Sequence, residues 1–289
     1  MSSLPVVSIV GGSGHLGQHI VRAFLEPTRK SQFKEIRVVT RNGGSSTPQE
    51  FAQQGASVLT YDENALEPLV SVLKDSDIVI NMIGVVLKAM QTLKARLYFP
   101  SDSGVDPRLH DFSNPEWDAK RLDRELVSEL LPSSTCTCSV YPGLFLEHSI
   151  GPWYGLSSRA ERYEQSGAHE SKIRFTSLPD IGRSVVDLSL LPEPPEHVHL
   201  AGDTKAIIGV ARTMESAVAG PIEVVETDLD KYKKDVLTGP GDRPEKNLRF
   251  LVGEGKIDHS DKGLGNDNEI VNPGQKRWGW WGLCNWDLA

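Results

Sequence analysis

Val6-Val7-Ser8-Ile9-Val10 breaks into Gly11-Gly12-Ser13-Gly14-His15-Leu16-Gly17, a spacing that serves the binding of a pyrophosphate. Glycine is required where a chain leaves a buried strand in a tight turn, admits phosphate oxygens to its backbone amides and packs a new helix close to the sheet. Gly12, Gly14 and Gly17 fit G-x-G-x-x-G, while Gly11, Gly14 and Gly17 fit G-x-x-G-x-x-G. Both frames put the same backbone, from Gly11 through Ser13, His15 and Leu16 to Gly17, at the start of a helix. Leu16, Ile20, Val21, Phe24 and Leu25 then recur at helical spacing up to Pro27. A strand before and a helix after separate a dinucleotide loop from an ordinary strand-to-helix turn.

The next predicted strand covers residues 36–42, and its end is where an NAD site places an acidic residue for the ribose diol. Arg41 stands there instead. A guanidinium suits a 2′-phosphate, so the residue type favours NADP(H) over NAD(H); the plain alternative is a solvated loop charge.

The elements that must position these residues are legible from periodicity. Strands are expected at residues 56–60, 77–83, 96–100 and 137–141, with a helix over 66–73. Alternation of this kind gives an α/β, doubly wound parallel sheet of Rossmann type. The loops at Gly11, Arg41, Gly84 and Ser101 all leave carboxyl ends of strands, the edge at which such sheets bind ligands. The pattern loosens after residue 142. Residues 180–191 and 203–218 read as helices, and 198–200 and 222–225 as strands. The expected organisation is therefore an NADP-binding domain at 1–142, a smaller α+β substrate lobe at 143–262 and an irregular, Trp-rich tail at 263–289.

Composition narrows the function classes. The 289 residues carry 31 Lys and Arg against 39 Asp and Glu, a formal net charge of −8, with no long basic run. Nucleic acid and anionic membrane are therefore not expected as main partners. No segment has transmembrane length and no charged n-region or apolar h-region opens the chain, so a cytoplasmic protein is expected. Of three cysteines, Cys136 and Cys138 are separated by one residue, not the spacing of a redox or zinc pair; on a strand they face one side as small apolar residues. His197 and His199 share a strand face without a third ligand, so no metal is expected. Trp278, Trp280, Trp281 and Trp286 read as a tail clamped by aromatic burial rather than as a binding platform. Paired carboxylates, a nucleophile elbow and a phosphate-binding lysine motif do not occur.

Taken together, the glycine run, Thr40-Arg41, Tyr61-Asp62, Asp77-Ile78-Val79-Ile80, Phe99-Pro100-Ser101-Asp102-Ser103-Gly104, Lys120 and Pro142-Gly143-Leu144-Phe145 resemble the NmrA-like and isoflavone reductase-like group of atypical short-chain reductases. Gly253-Glu254-Gly255-Lys256-Ile257-Asp258 and Asn268-Glu269-Ile270-Val271-Asn272-Pro273-Gly274 are similar to the C-terminal signature of its fungal members. The resemblance implies a Rossmann domain that binds NADPH and, where active, reduces a small, often aromatic or conjugated metabolite. It also implies a role for Lys120, which matches the group's active-site lysine, as the proton relay beside the nicotinamide; Ser101 reads as a hydroxyl near the nicotinamide or, equally, as a turn-former. From the residues alone, Ala119, Leu122, Leu126 and Leu130 form the apolar face of this helix, with Lys120 at its flank. Glu116, four residues earlier, makes an ordinary surface pair with Lys120. No Tyr-x-x-x-Lys occurs, so the tyrosine-based proton transfer of ordinary short-chain dehydrogenases is excluded. The crossover between Gly84 and Arg96 is shorter than the group's usual segment. A more open pocket, another substrate, or cofactor binding without turnover would follow from it. Two expectations stand: an NADPH-dependent oxidoreductase acting on a small molecule, and an NADP(H)-sensing regulator that engages a protein partner.

Overall fold

The computed structural model describes residues 3–62, 66–83, 86–156, 161–168, 170–218, 220–241, 243–259 and 264–285; Gly84 and Trp286 lie outside the described residues. All five residues of β1 (Val6–Val10) are buried, as befits a central strand covered on both faces. It is followed by α1 (His15–Leu25), α2 (Pro27–Lys30), β2 (Glu35–Thr40), α3 (Ser46–Gln53), β3 (Ser57–Thr60), α4 (Leu66–Leu73), β4 (Ile78–Asn81), α5 (Leu87–Met90), β5 (Leu97–Phe99), α6 (Pro115–Leu130) and β6 (Cys136–Thr137). These strands make one sheet in the order β3-β2-β1-β4-β5-β6. Every ladder is parallel, with Ile9 of β1 opposite Val38 on one side and Ile80 on the other. The strand order reverses between β1 and β4, which makes the carboxyl ends of these two strands the topological switch point. The protein is an α/β fold with a doubly wound parallel sheet, as its alternation predicts.

The remainder has shorter elements: β7 (Ser139–Tyr141), β8 (Leu144–Phe145), α7 (Leu146–Ser149), β9 (Arg162–Ser166), β10 (Lys172–Thr176), α8 (Leu178–Leu190), β11 (His197–His199), β12 (Asp203–Ala206), α9 (Ile207–Val218), β13 (Glu223–Thr227), α10 (Leu229–Thr238), α11 (Pro244–Gly253) and α12 (Asn268–Val271). Small sheets form in the order β12-β10-β8 and between β13 and β9. The expected helix over 203–218 begins later than its periodicity implies. Residues 203–206 are a strand because they find an antiparallel partner in β10, a distant pairing that local pattern does not reveal. Cys136 and Cys138 do not share an environment. Cys136 is exposed and Cys138 buried, with the strand interrupted between β6 and β7.

The chain packs as two compact units, one comprising Met1–Ser103, Pro115–Val140 and Ile181–Val198, the other Gly104–Asn114, Tyr141–Asp180 and His199–Ala289. Most of α8 thus belongs with the large sheet. A Cβ on Gly182 would lie 2.6 Å from the His19 carbonyl oxygen, Arg29 pairs with Asp187 at 3.6 Å, and the Arg96 guanidinium donates to the Ser189 carbonyl at 2.5 Å. The tail is held by backbone bonds as well as by burial of Leu283 and partial burial of Trp278 and Trp280. The Trp281 amide donates to Asp180 at 2.8 Å and the Leu283 amide to Asp203 at 2.8 Å, while the Trp281 ring is exposed.

Candidate functional site

The glycine loop continues the β1 to β2 ladder by one more bond, from the Gly11 amide to the Val39 carbonyl at 2.8 Å. Gly11 then turns with φ of 79°, and a side chain there would lie 2.6 Å from Ile83 Cγ2. The Gly14 amide donates to the Gly11 carbonyl at 2.9 Å. Gly17 sits directly against that same carbonyl, so a Cβ would overlap it. The frame of Gly11, Gly14 and Gly17 is therefore the one that the backbone depends on most heavily. Beside it, the Ser13 hydroxyl bonds the Thr40 hydroxyl at 2.7 Å and fixes the loop to the end of β2. Helix α1 starts at Gly14 with no side-chain cap and no acidic residue in its first turn. The amides at this helix start carry a positive partial charge that no carboxylate of that turn neutralises, a setting suited to an anion. His15 is exposed and Leu16 half-buried at this edge.

Arg41 follows directly on the buried Thr40 and is exposed at the carboxyl end of β2. Asn42 closes the turn after it, accepting from the Gly44 amide through Oδ1 at 3.1 Å. At the end of β4, Asn81 is buried; its side-chain amide donates to the Tyr98 hydroxyl at 2.9 Å and its Oδ1 accepts from the Ile83 amide at 3.1 Å. Burial holds the Tyr98 hydroxyl well above its usual ionisation range. An asparagine closing an otherwise apolar strand was the signal for this position.

Ser101 is half-buried in the turn that leaves β5, next to Asp102, whose side chain is almost wholly buried. Burial pushes the Asp102 carboxyl up to about 6, against the pull of the Arg124 and Lys120 charges and the Ser139 hydroxyl. Arg124 Nη1 lies 3.3 Å from Asp102 Oδ2, and Nη2 lies 3.1 Å from His197 Nδ1. Asp102 lies within the recognised Phe99-to-Gly104 turn but nothing there marks its burial, and Arg124 is marked by no motif, although it lies four residues beyond Lys120 on the same helix.

Lys120 itself forms the expected pair, with Nζ 3.2 Å from Glu116 Oε1. The face of α6 differs from the expected one, however. Ala119 and Leu122 are exposed, Trp117 is buried, and Leu126, Val127, Leu130 and Leu131 pack partly into the core. The inward side also carries Lys120 and Arg124, whose side chains are 27% and 16% exposed, so Lys120 faces inward rather than standing at the flank. A lysine and an arginine on an inward face defeat any reading based on apolar spacing alone.

The two histidines do not act as a pair. His197 contacts Arg124, whereas His199 lies 3.3 Å from Asp106 Oδ2 in the other unit. Among the described residues no group of three or more His, Cys, Asp or Glu side chains is arranged to hold a metal, and no helix is long and apolar enough to cross a membrane.

A glycine loop at the switch point of a parallel sheet narrows the fold but serves many functions. The model of the NmrA-like family matches residues 5–235. The chain belongs to the NmrA-like family. This NmrA-like protein is 22% identical over 264 residues to phenylcoumaran benzylic ether reductase TP7 of Nicotiana tabacum, covering 83% of each chain. It is 21% identical over 258 residues to isoflavone reductase of Glycine max, covering 80% of this chain and 81% of that one. Among solved structures, AtPrR2 with NADP+ and (+)pinoresinol superposes with a TM-score of 0.79 at 18% identity, covering 96% of both chains.

Proposed function

We propose that this NmrA-like protein is an NADPH-dependent oxidoreductase that reduces a small, aromatic or conjugated molecule. The observation that carries this reading is the glycine loop: a cradle in which side chains at Gly11 and Gly17 find no room, beside an uncapped helix start and followed at the end of β2 by an arginine in place of an acid. The loop amides from Gly11 to Gly17, together with the Ser13 hydroxyl, hold the pyrophosphate. Arg41 pairs with the 2′-phosphate. Ser101, in the turn that leaves β5, belongs to the same edge, and Gly84, outside the described residues, is a further candidate on the sequence alone. The cofactor supplies the hydride. Lys120 donates the proton or stabilises the negative charge that hydride addition leaves on a neighbouring oxygen or conjugated system. The relatives support reduction, since they are named phenylcoumaran benzylic ether reductase and isoflavone reductase.

Two observations favour the second reading, an NADP(H) sensor with a protein partner: Lys120 is paired with Glu116, and among the described residues of the short crossover before β5 the four-residue α5 is the only helix. The test is NADPH consumption against a panel of quinones, aromatic ketones and flavonoid-like compounds, with calorimetric titration of NADPH and NADH. Turnover that vanishes in Lys120→Ala while NADPH affinity persists supports the reductase. Tight NADPH binding without turnover on any compound supports the sensor, and absence of binding defeats both.

A further inference from the structure

Helix α6 crosses the edge of the sheet above a gap. A cavity of about 260 Å³ is lined on the helix side by Arg124, Val127 and Ser128 and on the strand side by Thr135, Thr137 and Ser139. Helices in protein interiors are seated by close packing, which removes alternative positions. Along this stretch the packing is incomplete, and short hydroxylated side chains line the strand side of the space. Leu126, Val127, Leu130 and Leu131 seat the helix on the core beside this space, and a polar anchor can add to them.

Arg124 is the group placed to do so. It follows Lys120 by one helical turn, on the same inward face. Its guanidinium bridges the buried Asp102, in the turn that leaves β5, and His197, at the start of β11. Both contacts join α6 to other parts of the unit that carries the large sheet. A planar guanidinium can hold two partners in fixed directions, whereas an ammonium acts as a point charge.

We propose that Arg124 is a positioning residue for Lys120: by binding Asp102 and His197 it fixes α6 against the turn that ends β5, and so fixes where the Lys120 ammonium stands. The inference rests on the reading of Lys120 as the proton donor. Arg124 touches no reacting atom in this scheme. Its loss should therefore lower kcat while leaving the loop at Gly11 and its grip on the cofactor intact.

The experiment compares Arg124→Ala, Arg124→Lys, Asp102→Asn and Lys120→Ala in the full chain, with folding followed by circular dichroism. Two readouts are taken: steady-state reduction, and trace acetylation of Lys120 in the cofactor-free protein, quantified by mass spectrometry relative to the exposed Lys234. Arg124→Ala should lower kcat about tenfold or more with KM for NADPH within about twofold of the parent, and Arg124→Lys should restore only part of the loss. Asp102→Asn should reproduce the arginine defect. In all three variants the labelling ratio of Lys120 should change. Normal kcat and an unchanged labelling ratio in folded Arg124→Ala and Asp102→Asn, alongside an inactive Lys120→Ala, would overturn the positioning role. Full turnover in Lys120→Ala would instead defeat the proton-donor reading. Should no compound be reduced, or should Arg124→Ala fail to fold, the labelling ratio in Arg124→Lys and Asp102→Asn decides: changed supports the positioning, unchanged refutes it.

Discussion

Arg41 is exposed while its neighbour Thr40 is buried, so one carries charge to the edge of the sheet and the other anchors the loop. Replacing Arg41 by Asp puts a like charge against a 2′-phosphate. The ratio of NADPH to NADH affinity should then fall by about 10- to 100-fold, the worth of a charged hydrogen bond. Paired calorimetric titrations measure it, and an unchanged ratio would mark Arg41 as a solvated loop charge. Ser13→Ala is gentler. It strands the buried Thr40 hydroxyl, bonded to Ser13 at 2.7 Å, and should cost about 1 kcal/mol in urea unfolding.

At the scale of elements, the glycine loop is the part where sequence and structure agree most closely, because steric exclusion of a Cβ leaves its mark directly in residue type. Gly17→Ala should abolish detectable NADPH binding and lower the melting temperature, since Gly11 cannot move its carbonyl without breaking the bond from the Gly14 amide. Gly279→Ala, in open space, is the control and should be neutral in both assays. The first four strands, from β1 to β4, could likewise be read from their apolar runs. Helix α6 could not be read in the same way. Its inward face holds Lys120, paired with Glu116 on the same helix, and Arg124, whose partners lie on other elements, and amphipathic spacing cannot announce a charge that is turned inward by pairing. Residues 203–206 were hidden for a related reason, since their strand exists only through β10. Asp102 lay within a recognised turn, yet its burial depends on the fold around it.

At the scale of the whole molecule, acid sensitivity has an identifiable source in the second unit. His259 is buried, its Nδ1–H donates to the Leu200 carbonyl at 2.8 Å, and its Nε2 has no hydrogen-bond partner among the described residues. Burial lowers its ionisation to about 4 from an ordinary 6.5. The folded protein therefore binds this proton less readily than the unfolded chain does. The resulting stabilisation is complete above about pH 6.5 and drains away as the pH falls toward 4, by roughly 3 kcal/mol in total. Urea midpoints at pH 7.5 and 4.5 should differ less in His259→Gln than in the parent; an equal difference would assign the acid sensitivity elsewhere.

The two units interleave, with the chain passing from one to the other at residues 103, 114, 140, 180 and 198. The last part of the sheet-bearing unit, residues 181–198, brings the partners of Arg29 and Arg96. During synthesis, the strands from β1 to β6 emerge from the ribosome long before those partners do. The first unit therefore cannot close on the nascent chain until residue 198 is free, by which time most of the first half of the second unit has also been made. A ribosome stalled just after β6 has emerged would hold a sheet with its α8 surface still bare.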